Sequence, residues 1–233
     1  MSLEAVRARI ETACARSGRD PAGVRLVAVT KGHDAQEIER RLLSRGVLDL
    51  GENRVQEWRD KAAALPADVR WHFVGTLQRN KVKYLADGGV TWVHSLNSAR
   101  LADAMEAQAE RRDHRFRALI EVDVAREEAK QGVPEERLAD LLAHCAPLAR
   151  VEVVGLMALA PYVDDPEATR PVFRRLAQLA AEHGLRELSM GMSRDVEVAI
   201  EEGATFVRVG SALFEDEDGS ATDTRAPAEG RPA

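Results

Sequence analysis

The sequence predicts a single (β/α)8 barrel of the TIM type, preceded by an extra N-terminal helix. Eight short apolar runs recur along the chain, and each suits a buried parallel strand. Helical patterns alternate with these runs, which implies parallel strands joined by right-handed crossovers. The length of 233 residues is enough for eight such units around one core. A doubly wound open sheet is the alternative arrangement.

The predicted elements follow one another in a regular order. An amphipathic helix runs from Ser2 to Ser17 and stops at Gly18. The eight predicted strands are Leu26–Val29, Val47–Leu50, Trp71–Val74, Thr91–Val93, Ala118–Val122, Val151–Leu156, Glu187–Met190 and Phe206–Val209. The clearest helices between strands are Ala35–Arg45, Ser98–Arg112, Pro134–Cys145 and Pro171–His183, and two more start near Arg54 and Asp195.

No interdomain linker is visible, so residues 1–214 are expected to form one barrel domain. The composition changes at Glu215, where an acidic run gives way to Ala, Thr, Arg, Pro and Gly. Such a segment has no apolar face to bury. Residues 215–233 are therefore predicted to form a disordered tail.

Composition and charge narrow the class of protein. A formal net charge of -6 argues against a nucleic-acid-binding face. No apolar stretch is long enough to span a bilayer, and the N-terminus lacks a signal-peptide pattern. Cys14 and Cys145 lie on predicted helices among apolar neighbours, where free buried thiols are expected rather than a disulfide. We expect a cytoplasmic protein, monomeric, with no nucleic-acid or membrane partner.

Lys31 is the first candidate site residue. It comes directly after the first predicted strand, in a chain where only five of the 33 basic residues are lysine. Lysine can lose its proton and form an imine when desolvation lowers its pKa, and arginine cannot. A Schiff-base lysine is the functional hypothesis. The alternative is a strand-end lysine that reaches into solvent.

Glycine and serine follow the last two strands, where barrel enzymes bind phosphate. Ser193 lies shortly after Gly191, and Gly210 and Ser211 follow the eighth strand. Glycine allows close approach of the backbone, while amides and hydroxyls donate hydrogen bonds to an anion. Tight turns and a helix N-cap at Ser193 are the alternative explanation.

Arg208 lies inside the eighth strand, where an unpaired charge would be costly. It either points outward to an acid or points inward and donates to a ligand. An imine-forming lysine, a phosphate cup and a buried arginine together describe a site for pyridoxal 5′-phosphate (PLP). In that site the aldehyde meets Lys31, the phosphate lies in the last two loops and the ring nitrogen faces Arg208.

Six segments resemble those of the pyridoxal phosphate homeostasis proteins, in the same order, across nearly all of the chain from Val24 to Phe214. They are Leu26–Lys31, Leu50–Glu57, Trp71–Lys81, Gly155–Met157, Leu188–Ser193 and Val207–Ser211. The resemblance implies a fold type III PLP protein, a single barrel like the N-terminal domain of alanine racemase without the second domain. It implies PLP held as an imine on Lys31, and a role in PLP supply and amino-acid homeostasis. Free amino acids and PLP-requiring apoenzymes are the further partners it suggests.

Three more residues complete the expected cofactor-binding set. Asn53 follows the second strand, so its amide is expected to reach Lys31 or the cofactor, unless it forms a turn or N-cap. His72 alternates with apolar neighbours and is expected in the lumen, as a ligand contact or a satisfied core histidine. Met157 either packs against the cofactor ring or belongs to the core.

A reactive lysine in a barrel is compatible with three functions: a PLP-binding homeostasis protein, an amino-acid racemase and a class I aldolase. The racemase would need a second base opposite Lys31, and neither Tyr84 nor Tyr162 lies at a suitable strand end. The aldolase would leave Arg208 and the phosphate cup unexplained. An arginine at the ring nitrogen has only donors and favours an unprotonated pyridine, which weakens the electron sink. We expect a PLP-binding protein without robust catalysis, with the racemase as the alternative.

Overall fold

The fold is a closed barrel of eight parallel strands in chain order, in which β1 also pairs with β8. The computed structural model describes residues 2–125 and 132–214. The strands are β1 Arg25–Val29, β2 Asp49–Glu52, β3 Arg70–Phe73, β4 Trp92–Leu96, β5 Phe116–Glu121, β6 Val151–Met157, β7 Glu187–Ser189 and β8 Phe206–Val209. The predicted (β/α)8 barrel is confirmed, and the open sheet is excluded by the pairing of β1 with β8.

Helices surround the barrel. They are α1 Leu3–Ser17, α2 Ala35–Arg41, α3 Val55–Ala62, α4 Val82–Asp87, α5 Ala99–Glu110, α6 Leu138–Cys145, α7 Arg170–Glu182, α8 Val196–Glu201 and α9 Ser211–Phe214. Short 3-10 turns precede or follow several of them at Pro21–Gly23, Leu43–Arg45, Arg79–Lys81, Glu135–Arg137 and Pro166–Thr169. Helices α4 and α9 have no counterpart among the predicted elements.

The extra N-terminal helix is present and well capped. The Ser2 side chain accepts from the backbone N–H of Ala5, and Gly18 ends α1 with a left-handed φ of 66°. The buried stripe of α1 includes Cys14. Cys14 and Cys145 are both buried and free, as predicted.

All strands except β8 differ from their predicted bounds by one to three residues, and two of the differences concern polar residues. β2 begins and ends later than the predicted Val47–Leu50, so Gly51 and Glu52 lie inside the strand. β4 runs through His94 and Ser95, which therefore do not follow the strand. A barrel strand can carry polar residues such as Glu52 and His94 where they find hydrogen-bond partners, whereas an apolar-run pattern stops at the first of them.

The core has two parts, separated by the barrel wall. The larger part lies between the outer face of the barrel and the helices. The smaller part, the lumen cluster, consists of Val27, Trp92, Leu119, Met157 and Phe206. Strand alternation explains the division, since Val207 and Val209 of β8 join the outer core while Phe206 lies in the lumen.

The acidic segment 215–233, for which a disordered tail was predicted, lies outside the described residues. Within the described part of the chain, no helix has both the length and the apolar character needed to cross a membrane.

Candidate cofactor site

Lys31 stands at the carboxyl end of the barrel. The ladder of β1 continues one residue past the strand, because the Thr30 N–H donates to Gly51 O at 3.0 Å. Val27 lies in the lumen, so alternation along β1 brings Lys31 to the lumen side of the mouth. The Lys31 side chain is exposed, and its amine has no hydrogen bond or ion pair with any described residue. An unused amine at this mouth is available to a ligand.

A buried polar network fixes the backbone just before Lys31. Thr30 Oγ1 donates to Glu52 Oε1 at 2.6 Å, and Lys61 Nζ donates to Thr30 O at 2.6 Å. Lys61 Nζ also donates to the same Glu52 oxygen. Thr30 and Glu52 are fully buried, so this network is shielded from water. Sequence reasoning did not assign Lys61 a role, although it is one of few lysines and lies four residues after Glu57.

Asn53 follows β2 beside this network. Its amide oxygen is buried and has no hydrogen-bond partner among the described residues. A side chain at Gly75 would lie 2.4 Å from Asn53 O, so the two segments pack backbone against backbone. A buried acceptor without a hydrogen-bond partner lowers the stability of a folded protein. Such an acceptor is typical of a binding site in which a ligand supplies the donor.

Arg208 points inward, which resolves the two predicted orientations. It pairs in register with Val27 of the lumen cluster and is 5% exposed. Its guanidinium donates to Ser189 Oγ at 2.5 Å and to Ala158 O at 3.1 Å. Burial lowers the pKa of Arg208 to about 10, against the opposing effect of nearby acids. The group therefore keeps its charge at neutral pH.

The last two loops place unused donors at the same end of the barrel. The hydroxyls of Ser193 and Ser211 and the N–H of Gly210 make no hydrogen bond to a described residue. Helix α8 has Asp195 as its N-cap residue, so Ser193 does not serve as the N-cap. A side chain at Gly210 would lie 3.3 Å from Val29 O, which shows how closely this loop meets the end of β1.

One acid lies close to these donors. Asp195 Oδ1 accepts from the Met192 N–H at 2.6 Å and is nearly buried. Burial raises the pKa of Asp195, while the Met192 N–H and the charges of Arg208 and Arg9 act against the rise. Arg9 also donates to Ser193 O at 2.7 Å, which ties helix α1 to this loop.

His72 and Met157 both lie in the lumen. Met157 belongs to the lumen cluster. His72 Nδ1 lies 3.0 Å from His94 Nε2, and His72 Nε2 lies 3.0 Å from Asp49 Oδ1. Both ring nitrogens thus have protein partners, which fits the satisfied core histidine of the two alternatives. His94 continues the contact to Ser189 Oγ at 2.7 Å, and sequence reasoning gave neither residue a role.

The residues present fit PLP. The site offers a free amine at Lys31, a buried cation at Arg208 and unused donors near Gly210. These match an aldehyde, a ring nitrogen and a phosphate group, respectively. Among the described residues, no group of His, Cys, Asp and Glu has the arrangement of a metal site.

Comparison with known proteins agrees with this chemistry. Residues 1–218 match the family model described as alanine racemase, N-terminal domain. The pyridoxal phosphate homeostasis protein of Aquifex aeolicus is 45% identical over 219 residues, covering 91% of this chain and 95% of the relative. That of Deinococcus radiodurans is 46% identical over 214 residues, covering 92% and 100%. The human protein of the same name is 32% identical over 256 residues, covering 98% and 93%.

Solved structures extend the likeness to the fold. PipY of Synechococcus elongatus with PLP bound is 33% identical with a TM-score of 0.77, covering 89% of this chain and 100% of that one. An alanine racemase of Clostridium difficile has a TM-score of 0.71 at 12% identity, covering 94% and 58%. The second likeness is one of fold alone.

Proposed function

Because the chain belongs to the family of the pyridoxal phosphate homeostasis proteins, we propose that it binds PLP through Lys31 and acts in the homeostasis of that cofactor. One observation supports the proposal most strongly. An unused amine, a buried guanidinium and unused hydrogen-bond donors suited to a phosphate lie at the same end of the barrel. Each of these groups matches a different part of PLP, so chance placement of all three is a poor explanation.

Each predicted residue receives a role in this proposal. Lys31 Nζ holds the cofactor covalently, and Arg208 donates to its ring nitrogen. Asn53 Oδ1, which is buried and has no partner among the described residues, accepts from the bound group. Met157 lies in the lumen cluster beneath the site. His72 supports the site from below rather than touching the cofactor, because both its ring nitrogens already have partners.

The phosphate role falls on the last two loops. Ser193 Oγ, Ser211 Oγ and the Gly210 N–H donate to the phosphate oxygens, and Arg9 adds positive charge behind Ser193. When bound, PLP supplies an aldehyde that links reversibly to amines. This exchange is the chemistry through which free amino acids and PLP-requiring apoenzymes would meet the protein.

Binding rather than turnover suits the electrostatics of the site. Arg208 has only donors and keeps its charge, so it opposes protonation of a ring nitrogen placed against it. A racemase also needs a base on the face opposite Lys31. Tyr162 is 79% exposed beside Arg194, and Tyr84 lies among Arg59 and neighbouring lysines. Neither tyrosine lies in the lumen cluster, which favours a homeostasis protein over an amino-acid racemase.

Reduction with borohydride tests the attachment. Purified protein loaded with PLP should lose its visible absorption band on reduction, and peptide mapping should place the pyridoxyl group on Lys31. Lys31→Arg keeps the positive charge but cannot form the link, so it should carry no label. Lys83→Arg is the matched control and should be labelled as the parent is. A label on Lys81 or Lys83 would contradict the assignment.

An assay with alanine separates the two functions. The protein is expected to exchange its cofactor link with free amino acids and to show little or no racemisation. Sustained conversion of L- to D-alanine, faster than with free PLP and lost in Lys31→Ala, would contradict the proposed function and show that the protein is a racemase.

A further inference from the structure

Five buried or partly buried side chains form a continuous line of hydrogen bonds through the barrel. We call it the lumen chain: Arg208, Ser189, His94, His72 and Asp49. Successive heavy-atom distances along it are 2.5, 2.7, 3.0 and 3.0 Å. It starts at Arg208 near the carboxyl end of β8 and ends at Asp49, the first residue of β2. The line therefore joins the proposed cofactor end of the barrel to its opposite end.

The chemistry of the two ends fixes the hydrogen bonds that are made there. Arg208 can only donate, so Ser189 Oγ accepts from it. At the other end, burial alone would raise the pKa of Asp49, but hydrogen bonds from His72 and Arg70 outweigh burial and lower it. Asp49 is therefore ionised and can only accept. The proton of the hydrogen bond between His72 and Asp49 must lie on His72 Nε2.

Burial keeps the two histidines between these ends in the neutral form, and the line of hydrogen bonds then requires that they share one tautomer. Burial lowers the pKa of His72, and it lowers that of His94 further. With its proton on Nε2, neutral His72 accepts at Nδ1, so His94 must donate from Nε2. His94 then accepts at Nδ1, and Ser189 must donate to it.

Charge and packing around the histidines favour the same state. Arg208, Arg25 and Arg70 place positive charge near the pair. The acids that oppose them are Asp49 beside His72, Glu187 paired with Arg25, and Asp195 and Glu121 near Arg208. The His72 ring stacks on Trp92 at a centroid distance of 5.6 Å and an interplanar angle of 13°. Phe206 contacts both histidine rings edge to face. The rings therefore have little freedom to turn and reverse the chain.

We propose that Ser189, His94, His72 and Asp49 are positioning residues for Arg208, and that their one-way hydrogen bonds hold its guanidinium where the cofactor ring nitrogen binds. The proposal rests on the proposed PLP function for its consequence, but the arrangement exists in the protein without PLP. It predicts that a change at Asp49 alters cofactor binding at the opposite end of the barrel.

Nitrogen NMR on the PLP-free protein tests the arrangement itself. With ¹⁵N-labelled histidine, long-range ¹H–¹⁵N spectra should show His72 and His94 as neutral Nε2–H tautomers between pH 7 and 8. His72→Gln and His94→Gln assign the two signals by their loss. A proton on Nδ1 of either ring, or a charged ring in this range, would overturn the proposal.

PLP titration tests the consequence. Ser189→Ala and Asp49→Ala should each weaken PLP binding by about tenfold, because Arg208 loses its fixed position. Asp49→Asn should restore the affinity, since its amide oxygen can still accept from His72. Arg70→Ala is the matched control: it removes the ion pair of Asp49 with a 56% exposed partner and leaves the His72 contact in place.

The outcomes separate the two proposals. Unchanged PLP affinity in both Ser189→Ala and Asp49→Ala would overturn the positioning role, as would an equal loss in Arg70→Ala. If the parent protein takes up no PLP, the proposed function fails, while the tautomers of the PLP-free protein still decide whether the lumen chain is arranged as described.

Discussion

At the scale of single residues, the site depends on groups that the fold leaves unused and on groups that it ties down. Lys31 and the hydroxyls of Ser193 and Ser211 have no hydrogen bond to a described residue. The backbone directly before Lys31 is instead fixed by the buried contacts of Thr30. A free reactive group on a fixed backbone costs less ordering entropy when a ligand binds.

The two serines should matter for retention of the phosphate. Ser193→Ala and Ser211→Ala should each lower the PLP binding free energy by about 1.5–3 kcal/mol, the contribution of a hydrogen bond to a charged group. The covalent link through Lys31 should survive in both variants. Fluorescence titration measures the loss, and Ser44→Ala is a control, because the exposed Ser44 hydroxyl donates to Arg40 O on the surface. If both variants bind as tightly as the parent, the phosphate lies elsewhere.

The Glu52–Lys61 pair should show a strong asymmetry between single and double changes. Lys61→Met leaves the buried Glu52 carboxylate without its cation and should destabilise the protein by about 3–5 kcal/mol. The double variant Glu52→Gln, Lys61→Met removes both charges and should recover much of that loss. Urea unfolding of the parent, Lys61→Met, Glu52→Gln and the double variant completes the double-mutant cycle. Additive losses would mean that the two side chains act independently.

At the scale of elements, helix α1 does more than cover the barrel. Arg9 on α1 donates to both carboxylate oxygens of Glu197 on α8, each at 2.5 Å, and to Ser193 O in the loop before it. The extra N-terminal helix thus supports a loop that we assign to the phosphate. Hydrogen bonds from Arg9 also help to lower the pKa of Glu197, although burial alone would raise it.

Arg9→Ala should therefore affect both stability and cofactor retention. We expect a loss of about 1–3 kcal/mol in unfolding free energy, because a charge-assisted pair and a carbonyl contact disappear together. PLP should also dissociate faster. Arg45→Ala is the matched control, since it removes an exposed pair with Glu4 on the same helix. Equal effects of the two variants would contradict a special role for Arg9.

The alternation of elements was predictable from sequence, and their polar exceptions were not. Apolar runs and helix stops located all eight strands and α1, because burial imposes those patterns. β4 was predicted too short since His94 and Ser95 interrupt its apolar run. Helix α4 was missed because it has six residues and follows a charged 3-10 turn, Arg79–Lys81.

The meeting of the candidate site residues at one end of the barrel was predictable for a different reason. Lys31, Arg208 and Gly210 follow or lie in strands, and parallel strands of a barrel place their carboxyl ends together. The lumen chain could not be predicted, because it depends on which strands face each other across the lumen. His94 and Ser189 lie 95 positions apart in the sequence, and only the closed barrel brings them within hydrogen-bond distance.

At the scale of the whole molecule, the barrel buries two histidines in their neutral form. In an unfolded chain the same histidines would become protonated at acidic pH. The pKa values of His72 and His94 lie below the ordinary value of 6.5 because burial disfavours the charged ring. Below that value the unfolded chain binds protons that the folded barrel does not. The unfolding free energy must therefore fall as pH falls, and rise as pH rises.

The expected result is a steep fall of stability as the pH drops below about 6.5. Each buried histidine contributes up to about 1.4 kcal/mol per pH unit to the slope of the unfolding free energy. The pair therefore contributes up to about 2.7 kcal/mol per pH unit. Urea unfolding of the PLP-free protein at several pH values measures the slope. His94→Gln should remove about half of it. Leu119→Ala, which creates a cavity in the lumen cluster without removing a titrating group, should lower stability at every pH but keep the slope. A flat profile in the parent would show that the histidines take up protons in the folded protein as readily as in the unfolded chain, and the lumen chain would then lose its direction in acid.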